Sequence, residues 1–190
     1  MKGVNIEENI KNRIIDLITK GSEDRLIAFK PQGGAESVDL IVKKRGEYKS
    51  TVIKKIKTPF KIGKDFFAPR KTKSEEVSFK INIFIGPGKT DFITKDILRE
   101  SFVASKTFYL IFVYFDEAEQ DLSDIWVLSS LDFLTVAEQL KTKENKTMLR
   151  FEATIDLEKK DKYSKFLIDK KELGNFLLRI IESKNDIRSK

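Results

Sequence analysis

Few kinds of reactive side chain are present in this chain. It has no histidine and no cysteine, which excludes imidazole bases, thiolate nucleophiles, disulfides and Cys- or His-ligated zinc. Carboxylates, ammonium and guanidinium groups and hydroxyls remain, with a hard, oxygen-ligated ion such as Mg²⁺ as the fitting metal. Asp39 stands out because it interrupts an apolar run, Val38-Asp39-Leu40-Ile41-Val42, that follows a Gly-Gly turn. Further on, Lys55 and Lys57 are two residues apart, a spacing that puts both on one face of a strand. A carboxylate facing a lysine suits Mg²⁺-dependent phosphodiester cleavage. The ion needs at least two oxygen ligands, and the lysine stabilises the pentacovalent phosphate or orients the attacking water. Asp39 and Lys57 would fill these roles, with Glu36 or Glu8 as the second carboxylate on the ion. The plainer reading is that Asp39 pairs with a lysine of a neighbouring strand, Glu8 caps a helix, and Lys55 and Lys57 protect an edge strand.

The charge pattern points to a polyanion. The formal net charge is +7, yet residues 41–80 alone carry thirteen Lys/Arg against four acids, so the rest of the chain is slightly acidic. Residues 111–140 carry seven acids and no base. A field segregated in this way attracts nucleic acid, DNA first and RNA second, through phosphate contacts. Lys43, Lys44, Arg45, Lys54, Lys55, Lys61, Lys64, Arg70, Lys71 and Lys73 are the expected contacts. Phe66 and Phe67 lie among them and would either stack on unpaired bases or pin the segment to the core. Lysine as a generic solvated surface is the alternative. A basic region of one copy could also meet the acidic 111–140 region of another, giving a homo-oligomer.

The elements that must position these residues follow from periodicity. Ile6, Ile10, Ile14, Leu17 and Ile18 recur at helical spacing over 6–20, with Asn5 and Glu8 as a capping box and Gly21 as the stop. Strands are expected at 25–30, 37–43, 48–57 and 77–85, with turns at 31–34, 45–46 and 86–89. The basic stretch 58–76 is irregular. A helix is expected at 94–105, then a strand at 108–115 whose almost unbroken apolar run marks burial on both faces. An exposed acidic loop (116–121) leads to a strand at 124–129. Ser129 and Asp132 cap a helix over 130–140, a strand follows at 148–155, and Asp169 and Glu172 open a helix over 170–182. These elements predict one domain over 1–182 with a disordered tail at 183–190. The class is α/β leaning to α+β, a mixed central sheet flanked by helices.

A helix bearing Glu8, a strand, a second strand bearing Asp39 in GGAESVDLIV, and a third ending in the lysines of KIKT (55–58) resembles the restriction-endonuclease-like superfamily. The later FYLIFVYF, acidic loop and DIWVLSSLDF resemble the second half of its small members, so the likeness spans about residues 5–140. The resemblance implies a Mg²⁺-dependent deoxyribonuclease, with Asp39 on the second core strand and Lys57 completing a Glu/Gln-x-Lys signature on the third. The chain departs from that signature at Lys55, where an ammonium without a lone pair stands in place of Glu or Gln and cannot ligate a cation.

No eighteen-residue apolar run occurs and the N-terminal residues lack the apolar core of a secretion signal, so a cytoplasmic protein without a membrane span is expected. Three readings follow: a Mg²⁺-dependent endonuclease, a non-cleaving nucleic-acid-binding protein of the same fold, or a protein-interaction module.

Overall fold

A computed structural model describes residues 6–31, 38–45, 78–87, 91–116, 120–156 and 158–188. In chain order the elements are α1 (Ile6–Gly21), β1 (Leu26–Phe29), β2 (Leu40–Lys44), β3 (Ser78–Pro87), β4 (Phe92–Leu98), β5 (Phe108–Asp116) and β6 (Asp121–Ser129). Then come α2 (Ser130–Val136), β7 (Glu138–Lys141), β8 (Thr147–Thr154), β9 (Leu167–Ile168) and α3 (Leu173–Arg188). Among the described residues, six strands form a mixed sheet in the order β1-β2-β3-β5-β6-β9, in which only β3 and β5 are parallel. The other three form a small antiparallel sheet, β4-β8-β7. The architecture is α+β.

The apolar run of β5 takes a central place because both its faces are covered. Tyr109, Ile111, Val113 and Phe115 point to one core, shared with Ile10, Ile14 and Ile18 of α1 and Leu173, Leu177 and Ile181 of α3. Leu110 and Phe112 point to the opposite core, with Leu149 and Phe151 of β8 and Phe133 of α2. Helices therefore cover one face of the large sheet, while the small sheet and α2 cover part of the other. Phe112 stacks on Phe151 with ring centroids 3.7 Å apart, which ties the two sheets together. A register shift between Val113 and Phe115 places two residues of β6, Ser123 and Asp124, opposite Tyr114, and so turns both Leu122 and Ile125 to the helical side.

Three expectations are corrected. Residues 94–105 are not a helix: β4 and a short 3₁₀ turn at Arg99–Ser101 occupy that stretch. The parallel β3–β5 pair needs a crossover, and here a strand rather than a helix makes it, held on β8 by the two-pronged Arg150–Asp96 pair at 2.7 and 2.8 Å. The helix expected over 130–140 ends at Val136, since Ala137 is extended and Glu138–Lys141 pair with β8. The last helix runs on to Arg188, where a tail had been expected. The Ser129 cap is as predicted: its hydroxyl accepts from the Asp132 N–H at 3.0 Å. Likewise, the Asp169 carboxylate accepts from the Lys171 N–H at 2.8 Å.

The role of Gly21 is contact rather than cap conformation. The left-handed residues after α1 are Glu23 and Asp24, whereas a Cβ on Gly21 would meet Gly174 N and Lys171 O at 3.1 Å. Gly174 is tighter still, since its Cβ would lie 2.4 Å from Ile18 O. Two glycines thus let α1 and α3 cross closely, which fixes α1 over the sheet.

Candidate functional site

Asp39 lies one residue before β2, where the β2–β3 ladder ends. Its N–H still donates to Ile81 O at 3.0 Å, and its Oδ2 accepts from the next free amide of β3, Ile83 N–H, at 2.8 Å. The carboxylate therefore continues the ladder in place of a backbone carbonyl. Its other oxygen, Oδ1, lies 2.6 Å from Lys11 Nζ of α1. Lys11 also pairs with Glu7 Oε1, one turn earlier on the same helix, at 2.7 Å. One ammonium is thus shared by two carboxylates. Burial pushes the Lys11 amine down, but the hydrogen bonds from it to Asp39 and Glu7 outweigh that and hold it above the ordinary lysine value. The same hydrogen bond and charge hold the Glu7 carboxyl below the ordinary range.

The strand beside Asp39 is β3. Asn82 Oδ1 accepts from the Asp39 N–H at 3.2 Å, and Asn82, Ile83 and Phe84 stand next to Asp39 along that strand. The expected neighbour, strand 48–57 with Lys55 and Lys57, lies outside the described residues. Along Leu40–Lys43, β2 has β3 on one side, and along Ile41–Lys44 it has β1 on the other. Glu36, Lys54, Lys61, Lys64, Arg70, Lys71 and Lys73 also lie outside the described residues, as do Phe66, Phe67 and Asn5.

Of the two acids in the first turn of α1, Glu7 reaches the cation held by Asp39, while Glu8 pairs with Lys30, which also donates to Asn12 Oδ1 at 2.9 Å. Glu7 and Lys11 are the residues that sequence reasoning missed. Their four-residue spacing was the available signal, since it makes them neighbours on a helix.

Period two divides the expected nucleic-acid contacts on β2 between its faces. Lys44 shares the helical face with Leu40 and Val42 and pairs with Glu182 of α3 at 3.0 Å. Lys43 is on the other face, its ammonium 6.0 Å from the centre of the Phe29 ring. Lys80 and Asn82 of β3 share that face, since their neighbours Phe79, Ile81 and Ile83 belong to the helical core. Arg45 follows the strand and is exposed; its N–H donates to Arg25 O at 2.8 Å.

The acidic region is partly used within the chain. Asp121 binds Arg13 at 2.5 Å and Lys170 at 2.6 Å, and Asp132 bonds to the Ser129 hydroxyl. Among the described residues no three His, Cys, Asp or Glu side chains gather as a metal site, and no helix is long and apolar enough to cross a membrane. Compared with protein-family models, curated proteins and solved structures, the chain has no significant match in any of the three.

Proposed function

We propose that this chain binds nucleic acid, chiefly through phosphate contacts, on the sheet face that carries Lys43 and Lys80. The observation that carries this reading is the separation of charge: thirteen Lys/Arg against four acids over 41–80, with the remainder of the chain slightly acidic. Lysine-rich surfaces of this kind release counterions on binding, so affinity falls steeply with salt. Binding of a labelled duplex and a labelled single strand, measured across a salt series, tests the reading. An affinity that falls by at least about tenfold between 50 and 200 mM salt supports it. No binding at the lowest salt sinks it.

A second reading, Mg²⁺-dependent endonuclease, is favoured by one specific observation: Glu7 and Asp39 converge on a single cation. Two carboxylates around one positive charge are the start of a magnesium site. As arranged, the donors do not fit the ion, because the Lys11 ammonium stands between them and Asp39 Oδ2 is already taken by Ile83 N–H. Mg²⁺-dependent nicking of a plasmid by the natural chain, lost in Asp39→Ala, would establish this reading over simple binding.

A further inference from the structure

On the same face as Lys43 and Lys80 lies a cavity of about 710 Å³ lined by Val38, Lys80, Asn82, Phe84, Phe102 and Phe108 among others. That volume is within the range of sites that enclose a small organic ligand. The cavity floor is the parallel pair β3–β5, whose register sets Lys80 opposite Phe108 and Asn82 opposite Leu110. Its wall includes Ser101, Phe102, Val103 and Ser105, where the crossover returns from β4 to β5.

The lining has a definite chemistry. Phe84, Phe102 and Phe108 supply flat apolar surface. Asn82 spends its carbonyl oxygen on the Asp39 N–H, and its NH₂ group has no partner among the described residues. Aromatic walls around an amide donor match a planar heterocycle with an in-plane acceptor. Lys80 adds positive charge to the lining, and the basic stretch 41–80 begins in β2 and ends in β3, the strands that carry Lys43 and Lys80.

We propose that this cavity receives one unstacked base of a strand whose phosphates are held on the face of Lys43 and Lys80. The inference rests on the nucleic-acid-binding reading and adds a preference for single-stranded or locally unpaired substrate, because unstacking costs least there. The same chemistry would suit a free mononucleotide, and the experiment separates the two.

Affinity is measured by fluorescence anisotropy for a labelled single strand of about twelve nucleotides, for the same strand with abasic positions, and for its duplex. The natural chain should bind the intact strand about tenfold or more tightly than the abasic one. Ser101→Trp, which fills the cavity from an exposed lining position, should abolish that ratio while leaving the salt dependence unchanged. Asn82→Ala should reduce the ratio. Circular dichroism melts check that both variants fold. Equal affinity for intact and abasic strands overturns the cavity inference and leaves phosphate binding standing. A ratio that survives in Ser101→Trp overturns it as well. So does saturable binding of adenosine or cytidine monophosphate by a chain that does not prefer the intact strand. Failure to bind any oligonucleotide sinks the underlying reading, and this one with it.

Discussion

Asp39 and Asp121 are both aspartates at strand starts, and each is held by a cation from α1. Asp39 bonds Lys11 at 2.6 Å and accepts the Ile83 N–H; Asp121 bonds Arg13 at 2.5 Å and accepts the Leu122 N–H. The difference is in the charge count. Lys11 serves two carboxylates, Asp39 and Glu7, whereas Asp121 is one carboxylate served by two cations, Arg13 and Lys170. The first cluster has more carboxylates than cations and lies beside Asn82, which lines the large cavity. The second has more cations than carboxylates, itself lines a smaller cavity, and clasps α1, β6 and the turn before α3 together. A strand-end aspartate with a basic partner is therefore an ordinary structural clasp. What makes Asp39 a candidate site is the surplus carboxylate of Glu7 and the Asn82 amide beside it.

Breaking the crossing of α1 over α3 should disturb both clusters at once and give the largest effect. Gly174→Ala would put a Cβ 2.4 Å from Ile18 O and 2.5 Å from Ser22 N, all of it backbone that cannot turn aside. The expected loss is about 3 kcal/mol in urea unfolding, as for other overpacked contacts. A loss under about 0.5 kcal/mol, the level of an ordinary surface change, would mean that the helices do not depend on this contact.

Lys11→Met should separate the two aspartates. It leaves Glu7 and Asp39 facing each other without a cation, and both Lys11 and Asp39 are mostly shielded, at 16% and 25% side-chain exposure. The expected cost is about 2 kcal/mol. Millimolar Mg²⁺ should recover part of that loss, because a divalent ion can take the place of the ammonium. Arg13→Met removes one of two cations from Asp121 and should cost about 1 kcal/mol, with no recovery in Mg²⁺. Thermal melts of the two variants with and without the ion make the comparison, and equal responses would erase the distinction between the clusters.

How much of this was legible in the sequence depended on whether local pattern and tertiary demand agreed. Ile10, Ile14 and Ile18 specify α1 because their spacing and burial coincide, and Phe108–Phe115 specify a central strand because no wet face is available to them. Glu138-Gln139-Leu140-Lys141 favour helix by propensity, yet they form a strand because β8 offers an open edge. Thr94–Ser105 read as helix for the same reason, until the cross-strand pairing of Asp96 with Arg150 is known. Asp39 was visible as an acid in an apolar run. Its partners were not, because Lys11 and Asn82 come from α1 and β3, and only the assembled sheet brings them to it.

The smallest effect concerns pH and sets Asp121 against its neighbour in β6, Asp124. Lys170, by hydrogen bond and charge, with help from Arg13, holds the Asp121 carboxyl below its ordinary value. A carboxyl lowered in the folded state contributes stability that is present above its unfolded pKa and lost as pH falls through the folded one. Asp121 should therefore help destabilise the chain on acidification below about pH 4. Burial pushes Asp124 the other way, above its ordinary value, only partly offset by the Ser123 hydrogen bond and the charge of Lys170. Its ionised form opposes folding at neutral pH, and the penalty disappears on acidification. Asp121→Asn should lower stability at pH 7 and flatten the acid limb, whereas Asp124→Asn should raise stability at pH 7 and steepen that limb. Both effects should stay under about 1 kcal/mol, because solvent screens partly exposed charges. Urea midpoints at pH 7 and pH 3 read both signs, and a loss of stability in Asp124→Asn at pH 7 would show that Ser123 and Lys170 hold its carboxylate strongly enough to outweigh its burial.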